Sequence, residues 1–175
     1  MNKKVLLIIA SRDFQPKEYL LPKEVLEQGG VKVITASDKG GTAVADSYGG
    51  ANATVDLLVG DAKVENFDGA FIVGGQGAKT LLETEDVYNL MRAFHKAGKF
   101  YGAICYSPRI LAHAGVLQGK NATGWNGDDE LPGILQSVGA KYSAEPVVVD
   151  GKLITAVDPT AAKQWGEEIL KNLKI

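Results

Sequence analysis

The stretch KFYGAICYSPRILAHAG, residues 99–115, runs from a short β-prone apolar segment, Phe100 to Ile104, through Cys105 into Ser107-Pro108. That pair opens a helix running to about Ala114, with Gly115 as its terminator. A residue on a sharp strand-to-helix turn is lifted clear of a sheet and points at a pocket. Unpaired amides and the positive end of the following helix favour a thiolate there, so the geometry predicts a lowered thiol pKa. The turn offers the amide of Tyr106, and Gly75, at the end of another predicted strand, offers a second. Two amides converging on one point form an oxyanion hole. The competing reading is a buried cysteine acting as a small hydrophobe.

Outward from this turn, strands alternate with helices. Lys4 to Ala10 is a continuous apolar strand, a pattern that suits a sheet covered on both faces. A helix follows from Pro16, carrying Leu21, Val25 and Leu26, with a bend or irregular turn expected at Pro22 and an end at Gly29-Gly30. Val31 to Ser37 is the second strand. Pieces around Ala43 to Tyr48 and Ala53 to Leu58, broken by glycine pairs, suggest a small β excursion. Phe67 to Val73 is a strand stopping at Gly74-Gly75, and Leu81 to Ala97 reads as one helix. A short strand near Asn121 to Thr123 precedes a helix near Leu131 to Val138. A pair of strands, Val147 to Asp150 and Leu153 to Ala156, turns at Asp150-Gly151, and a final helix spaces Trp165, Ile169 and Leu173 by four. The prediction is an α/β fold: a doubly wound, flavodoxin-like, mostly parallel open sheet with helices on both faces. Sites in such sheets gather at the carboxyl ends of strands, where Gly74, Cys105 and the loop after Ala10 all fall.

Composition narrows the function classes. At 175 residues with 45% hydrophobic content, residues 1–175 are expected to form a single domain. The 19 basic residues nearly offset 21 acidic ones without long runs, which argues against nucleic acid or anionic lipid as a partner. No segment approaches the ~20 apolar residues of a membrane span, and the six-residue run Val5 to Ala10 is too short for a signal peptide. A lone cysteine fits a reducing compartment, and a cytoplasmic location is expected. Two histidines and one cysteine do not make a zinc site, Asp128-Asp129-Glu130 lacks the spacing of a calcium loop, and GGQGAKT at 74–80 misses the P-loop glycine before its lysine. No metal and no cofactor are therefore expected.

A thiol nucleophile needs a base. His113 lies two turns beyond Cys105 on its own helix, and His95 sits in the preceding helix; both read as surface or capping residues. Glu18 remains, either aimed at the same strand ends as Cys105 or solvated in a first helical turn. Spacing does not separate those alternatives.

The quoted segment also carries a resemblance. EYLLP at 18–22, the strand with its glycine pair at 70–75, AICYSPRILAHAGVLQGKNATGW at 103–125 and DGKLITA at 150–156 resemble the PfpI/ThiJ superfamily, which shares the class I glutamine amidotransferase-like fold. The resemblance covers nearly the whole chain. It implies that Cys105 is the elbow cysteine, that Glu18 hydrogen bonds to its sulfur, and that Gly75 and Tyr106 supply the oxyanion amides. The protease-like branch has histidine where this chain has Tyr106, and a partner-subunit glutamate at about Lys79; the deglycase branch has histidine near Trp125. Members are commonly homodimers, so a homodimer is expected. The resemblance implies a cysteine-dependent enzyme of glyoxalase III or deglycase-like type, a hydrolase or lyase acting on small reactive aldehydes or glycated adducts. The alternative is a non-catalytic oxidative-stress sensor or protective protein with an oxidisable cysteine; an intracellular protease ranks below both, since its usual imidazoles are replaced.

Overall fold

The computed structural model describes residues 3–174. The chain runs β1 (Lys4–Ile9), α1 (Pro16–Gln28), β2 (Lys32–Ser37), β3 (Gly41–Ala45), β4 (Ala51–Val55), β5 (Leu57–Leu58), β6 (Gly69–Ile72), α2 (Gln76–Leu81), α3 (Glu85–Lys96), β7 (Phe100–Ile104) and α4 (Pro108–His113). It continues with β8 (Asn121–Ala122), α5 (Leu131–Ser137), β9 (Lys141–Tyr142), β10 (Val147–Asp150), β11 (Leu153–Ala156) and α6 (Ala162–Leu173). Seven strands form the main sheet in the order β10-β11-β7-β6-β1-β2-β5. Every pairing in it is parallel except the β10–β11 hairpin at one edge. This is the expected doubly wound sheet.

The apolar run of β1 is explained by the two layers. Leu6, Ile8 and Ala10 pack with α3, α4 and α5 residues such as Met91, Phe94, Leu111 and Leu135. Val5, Leu7 and Ile9 pack on the other face with Tyr19 and Leu26 of α1 and with Trp165, Ile169 and Leu173 of α6. Alternate side chains of a strand point to opposite faces, so a strand apolar at every position is covered twice. The Trp165 indole N–H also donates to the Ile154 carbonyl at 3.1 Å, tying α6 to β11.

Two expectations need correcting. The helix expected over 81–97 starts later, at Glu85, because the Thr84 hydroxyl accepts from the Val87 amide and opens α3 with Glu85 and Asp86 in its first turn; a separate short helix, α2, precedes it. No irregular turn occurs at Pro22: α1 continues through it. Proline removes only the bond to the Glu18 carbonyl, and the ring seats against α6 where Gly166 has no side chain; a Cβ there would lie 2.7 Å from Pro22 Cα.

The glycine-broken excursion is the antiparallel hairpin β3–β4, separate from the main sheet. It is stitched to the loop after β1: the Asp13 amide donates to the Val44 carbonyl at 2.8 Å, and the Asp13 carboxylate accepts from the Ser47 amide at 2.7 Å. The hairpin therefore stands over the carboxyl ends of the strands. The chain reverses direction across the sheet between β1 and β6, and the crevice outside that reversal is where ligands bind in open α/β sheets.

Candidate functional site

Cys105 directly follows β7 and takes φ +64, a left-handed conformation that a residue with a side chain adopts only under constraint. The constraint is visible in its backbone bonds. Its amide donates to the Ala156 carbonyl at 3.0 Å, and its carbonyl accepts from the Trp125 amide at 2.8 Å. Ser107, fully buried, donates its hydroxyl to the Val73 carbonyl at 2.8 Å and fastens the turn to the β6 end.

Gly74 and Gly75 bring the second wall in. A Cβ on Gly74 would lie 2.4 Å from Glu18 Oε2 and 2.7 Å from Cys105 Cβ, so only glycine lets carboxyl and cysteine meet. Gly75 has φ +108, and a Cβ there would lie 2.5 Å from both the Asp13 carbonyl oxygen and the Gln15 nitrogen. The amides of Gly75 and Tyr106 both donate toward the Cys105 sulfur.

Glu18 resolves in favour of the site: it has no solvent exposure, although it sits in the first turn of a surface helix. Its Oε2 accepts from the Gly74 amide at 2.8 Å. Burial pushes its carboxyl from the ordinary 4.5 up to about 8, against the opposing pull of Cys105 and the Gly74 amide. The carboxyl is coupled to the thiol, yet Oε1 has no partner that meets hydrogen-bond geometry. In the reduced protein a buried polar atom is left unsatisfied at the sulfur.

The expected lowering of the thiol pKa is overturned. Burial pushes the Cys105 thiol well above its ordinary range, Glu18 pushes the same way, and the Tyr106 and Gly75 amides only partly offset them. The helix end is weak here because α4 is six residues long and begins three residues past the cysteine. Both members of the pair are thus pushed toward their protonated forms.

Neither histidine reaches the sulfur. His113 Nδ1 pairs with Glu83 Oε2 at 2.9 Å, and His95 Nδ1 with the Tyr101 hydroxyl at 3.1 Å. The Tyr106 hydroxyl donates to the same Glu83 at 3.3 Å.

Above Cys105 lies a cleft of about 470 Å³, walled by Tyr48, Gly75, Lys79, Tyr106, Trp125 and Asp128 among others. Tyr48 in its wall and Arg109 behind it escaped the sequence reading. Tyr48 arrives from the β3–β4 excursion, with its hydroxyl oxygen accepting from the Gln76 amide at 3.0 Å. Arg109, almost fully buried, lies between the Tyr106 and Trp125 rings at 5.3 and 5.7 Å. It also donates to Asp128 at 2.7 Å and to Glu130 at 3.4 Å, so the exposed acidic 128–130 loop is fastened to the helix beneath it. The signal for it was a cation within the otherwise apolar PRILA segment. Among the described residues no group of histidine, cysteine and carboxylate side chains is placed to hold a metal ion, and no helix is long and apolar enough to cross a membrane.

The DJ-1/PfpI family model matches residues 3–172. An uncharacterised protein of Methanocaldococcus jannaschii is 37% identical over 174 residues, 99% of this chain and 83% of its own length. A protein named as a deglycase in Pyrococcus horikoshii is 29% identical, covering 96% of this chain and 98% of its own. Among solved structures, a ThiJ/PfpI domain protein of Brachyspira murdochii superposes with a TM-score of 0.89 at 28% identity, over 99% of this chain and 98% of that one.

Proposed function

The chain belongs to the DJ-1/PfpI family, and from that membership and the Glu18–Cys105 geometry we propose that it is an oxidative-stress sensor or protective protein whose Cys105 is oxidised reversibly or to the sulfinate. The observation that carries this reading is the unsatisfied, fully buried Glu18 Oε1 at the sulfur. A carboxyl that keeps its proton faces, in the reduced state, only the thiol sulfur, a weak acceptor. Oxidation supplies a stronger one: one peroxide converts the thiol to sulfenic acid and water, and a second gives the sulfinic acid and another water. A sulfinate oxygen accepts from the Glu18 hydroxyl, with Gly75 and Tyr106 amides on the remaining charge. The site therefore favours the oxidised anion over the thiolate, which fits a thiol whose own ionisation burial opposes.

A second reading is favoured by the deglycase of Pyrococcus horikoshii and by the two converging amides. There Cys105 attacks the carbonyl carbon of a small reactive aldehyde or glycated adduct, Gly75 and Tyr106 hold the oxyanion, and Glu18 moves the proton. The absence of an imidazole at the sulfur places it second. A homodimer, expected from the family, belongs to the same proposal.

Intact-protein mass spectrometry over a peroxide series tests the first reading. The wild-type protein is expected to accumulate the sulfinic form. Glu18→Leu, which removes the donor and keeps the bulk, is expected to pass to the sulfonic form or to stop short of the sulfinic. Identical product distributions, or a Cys105 inert to peroxide, would overturn the reading.

A further inference from the structure

Several polar groups facing the cleft are donors. The Gly75 and Tyr106 amides converge on the sulfur. The Tyr48 hydroxyl oxygen is already used as the acceptor for the Gln76 amide, so its proton is free to donate. That hydroxyl is near enough to Cys105 and Glu18 for both to oppose its ionisation. Lys79 borders the cleft, is exposed, and has no ion pair among the described residues. None of the acids that act on this site is paired with Lys79, although Asp13 and Asp158 also bear on Tyr48 and Glu18. Asp128 is paired with Arg109, which holds its carboxyl below the ordinary range, and Glu18 keeps its proton up to about pH 8. The opening over the cysteine is thus a small chamber with an unpaired cation and several hydrogen-bond donors. It suits an anion bearing a carbonyl better than a neutral aldehyde.

We propose that the chamber binds a small 2-oxo acid, with Lys79 and Tyr48 on the carboxylate and the carbonyl carbon over Cys105. The proposal rests on the reading that Cys105 is a chemically addressable thiol. The sulfur adds to the carbonyl carbon: a C–S bond forms and the C=O π bond becomes an oxyanion held by the Gly75 and Tyr106 amides. The thiol proton ends on that oxygen, with Glu18 able to exchange one proton on the way. No group leaves, and neither an oxidant nor a reductant is needed, so the adduct is a reversible thiohemiacetal or thiohemiketal. Lys79 is the specificity-determining residue, because its charge separates a 2-oxo acid from an oxoaldehyde of the same size.

Protection of Cys105 from iodoacetamide, read by peptide mass spectrometry, measures occupancy. Glyoxylate is the probe, glyoxal its neutral counterpart, and acetate a carboxylate without the carbonyl. Glyoxylate is expected to protect at concentrations about tenfold below glyoxal, the size of one charge-assisted contact. Lys79→Gln is expected to remove that advantage, and Lys79→Arg to keep most of it. Tyr48→Phe is expected to weaken glyoxylate about threefold and to leave glyoxal nearly unchanged. Equal protection by glyoxal, equal protection by acetate, or an unchanged glyoxylate advantage in Lys79→Gln would each overturn the proposal. Peroxide oxidation of wild-type Cys105, followed in the same preparation, separates the two claims. A cysteine that peroxide oxidises but glyoxylate does not protect sinks only the 2-oxo acid; one that neither reagent touches sinks the reactive-thiol reading as well.

Discussion

Replacing Glu18 with glutamine should change how stability depends on pH more than it changes stability itself. In the folded protein the carboxyl is pushed from 4.5 to about 8 by burial, and it has no solvent exposure that would screen the effect. The native state therefore holds a proton that the unfolded chain releases. Stability is full below about pH 4.5 and is lost as the pH rises toward 8. At about 1.4 kcal/mol per pH unit, this amounts to ~5 kcal/mol in full and about 3.5 kcal/mol between pH 5 and pH 8. Domains of this size are commonly stable by only about 5–15 kcal/mol, so one carboxyl would govern much of the alkaline limit. Glutamine has nearly the same shape, cannot ionise, and can still accept from the Gly74 amide. Urea unfolding from pH 5 to 9 with Cys105 kept reduced should show the wild-type curve falling relative to Glu18→Gln by about that amount, at constant m. Parallel curves for the two proteins would refute the assignment of a proton to Glu18 in the folded state.

The same proton predicts the shape of the peroxide reaction with pH. The reactive state is a thiolate beside a protonated Glu18; it should gain roughly tenfold per pH unit up to about 8, then level off, because it carries the same number of protons as the thiol beside an ionised Glu18. Stopped-flow rates for Glu18→Gln should keep rising through that point; a wild-type rate flat from pH 6 to 8 would contradict the raised thiol pKa. Gly75→Ala should lower stability by about 3 kcal/mol or more, since it adds left-handed strain to a Cβ only 2.5 Å from two backbone atoms. A thermal midpoint within 2 °C of wild type would show that the loop moves aside freely.

What the sequence disclosed was governed by local chemistry. Cys105 was legible because a β-prone run that meets Ser-Pro leaves one residue to make the turn, and its φ of +64 is the outcome. The sheet was legible because β1 has no polar position on either face after Lys4. The true start of α3 was also written, in Thr84-Glu85-Asp86, a cap followed by first-turn acids. Glu18 was not, because an acid in a first helical turn is equally at home in water or beneath a strand end. Its burial is fixed by the loop it follows, where the Gln15 amide donates to the Gly74 carbonyl at 3.1 Å. Tyr48 and Arg109 depend on contacts across 28 and 19 residues, from Tyr48 to Gln76 and from Arg109 to Asp128, that no local pattern encodes. The error on the thiol has the same root. Its helix was readable and argued for a thiolate, whereas its burial and its neighbour Glu18 come from distant segments and prevail. Local sequence located the sulfur; distant packing set its charge, and the 2-oxo acid and oxidation experiments both address that charge.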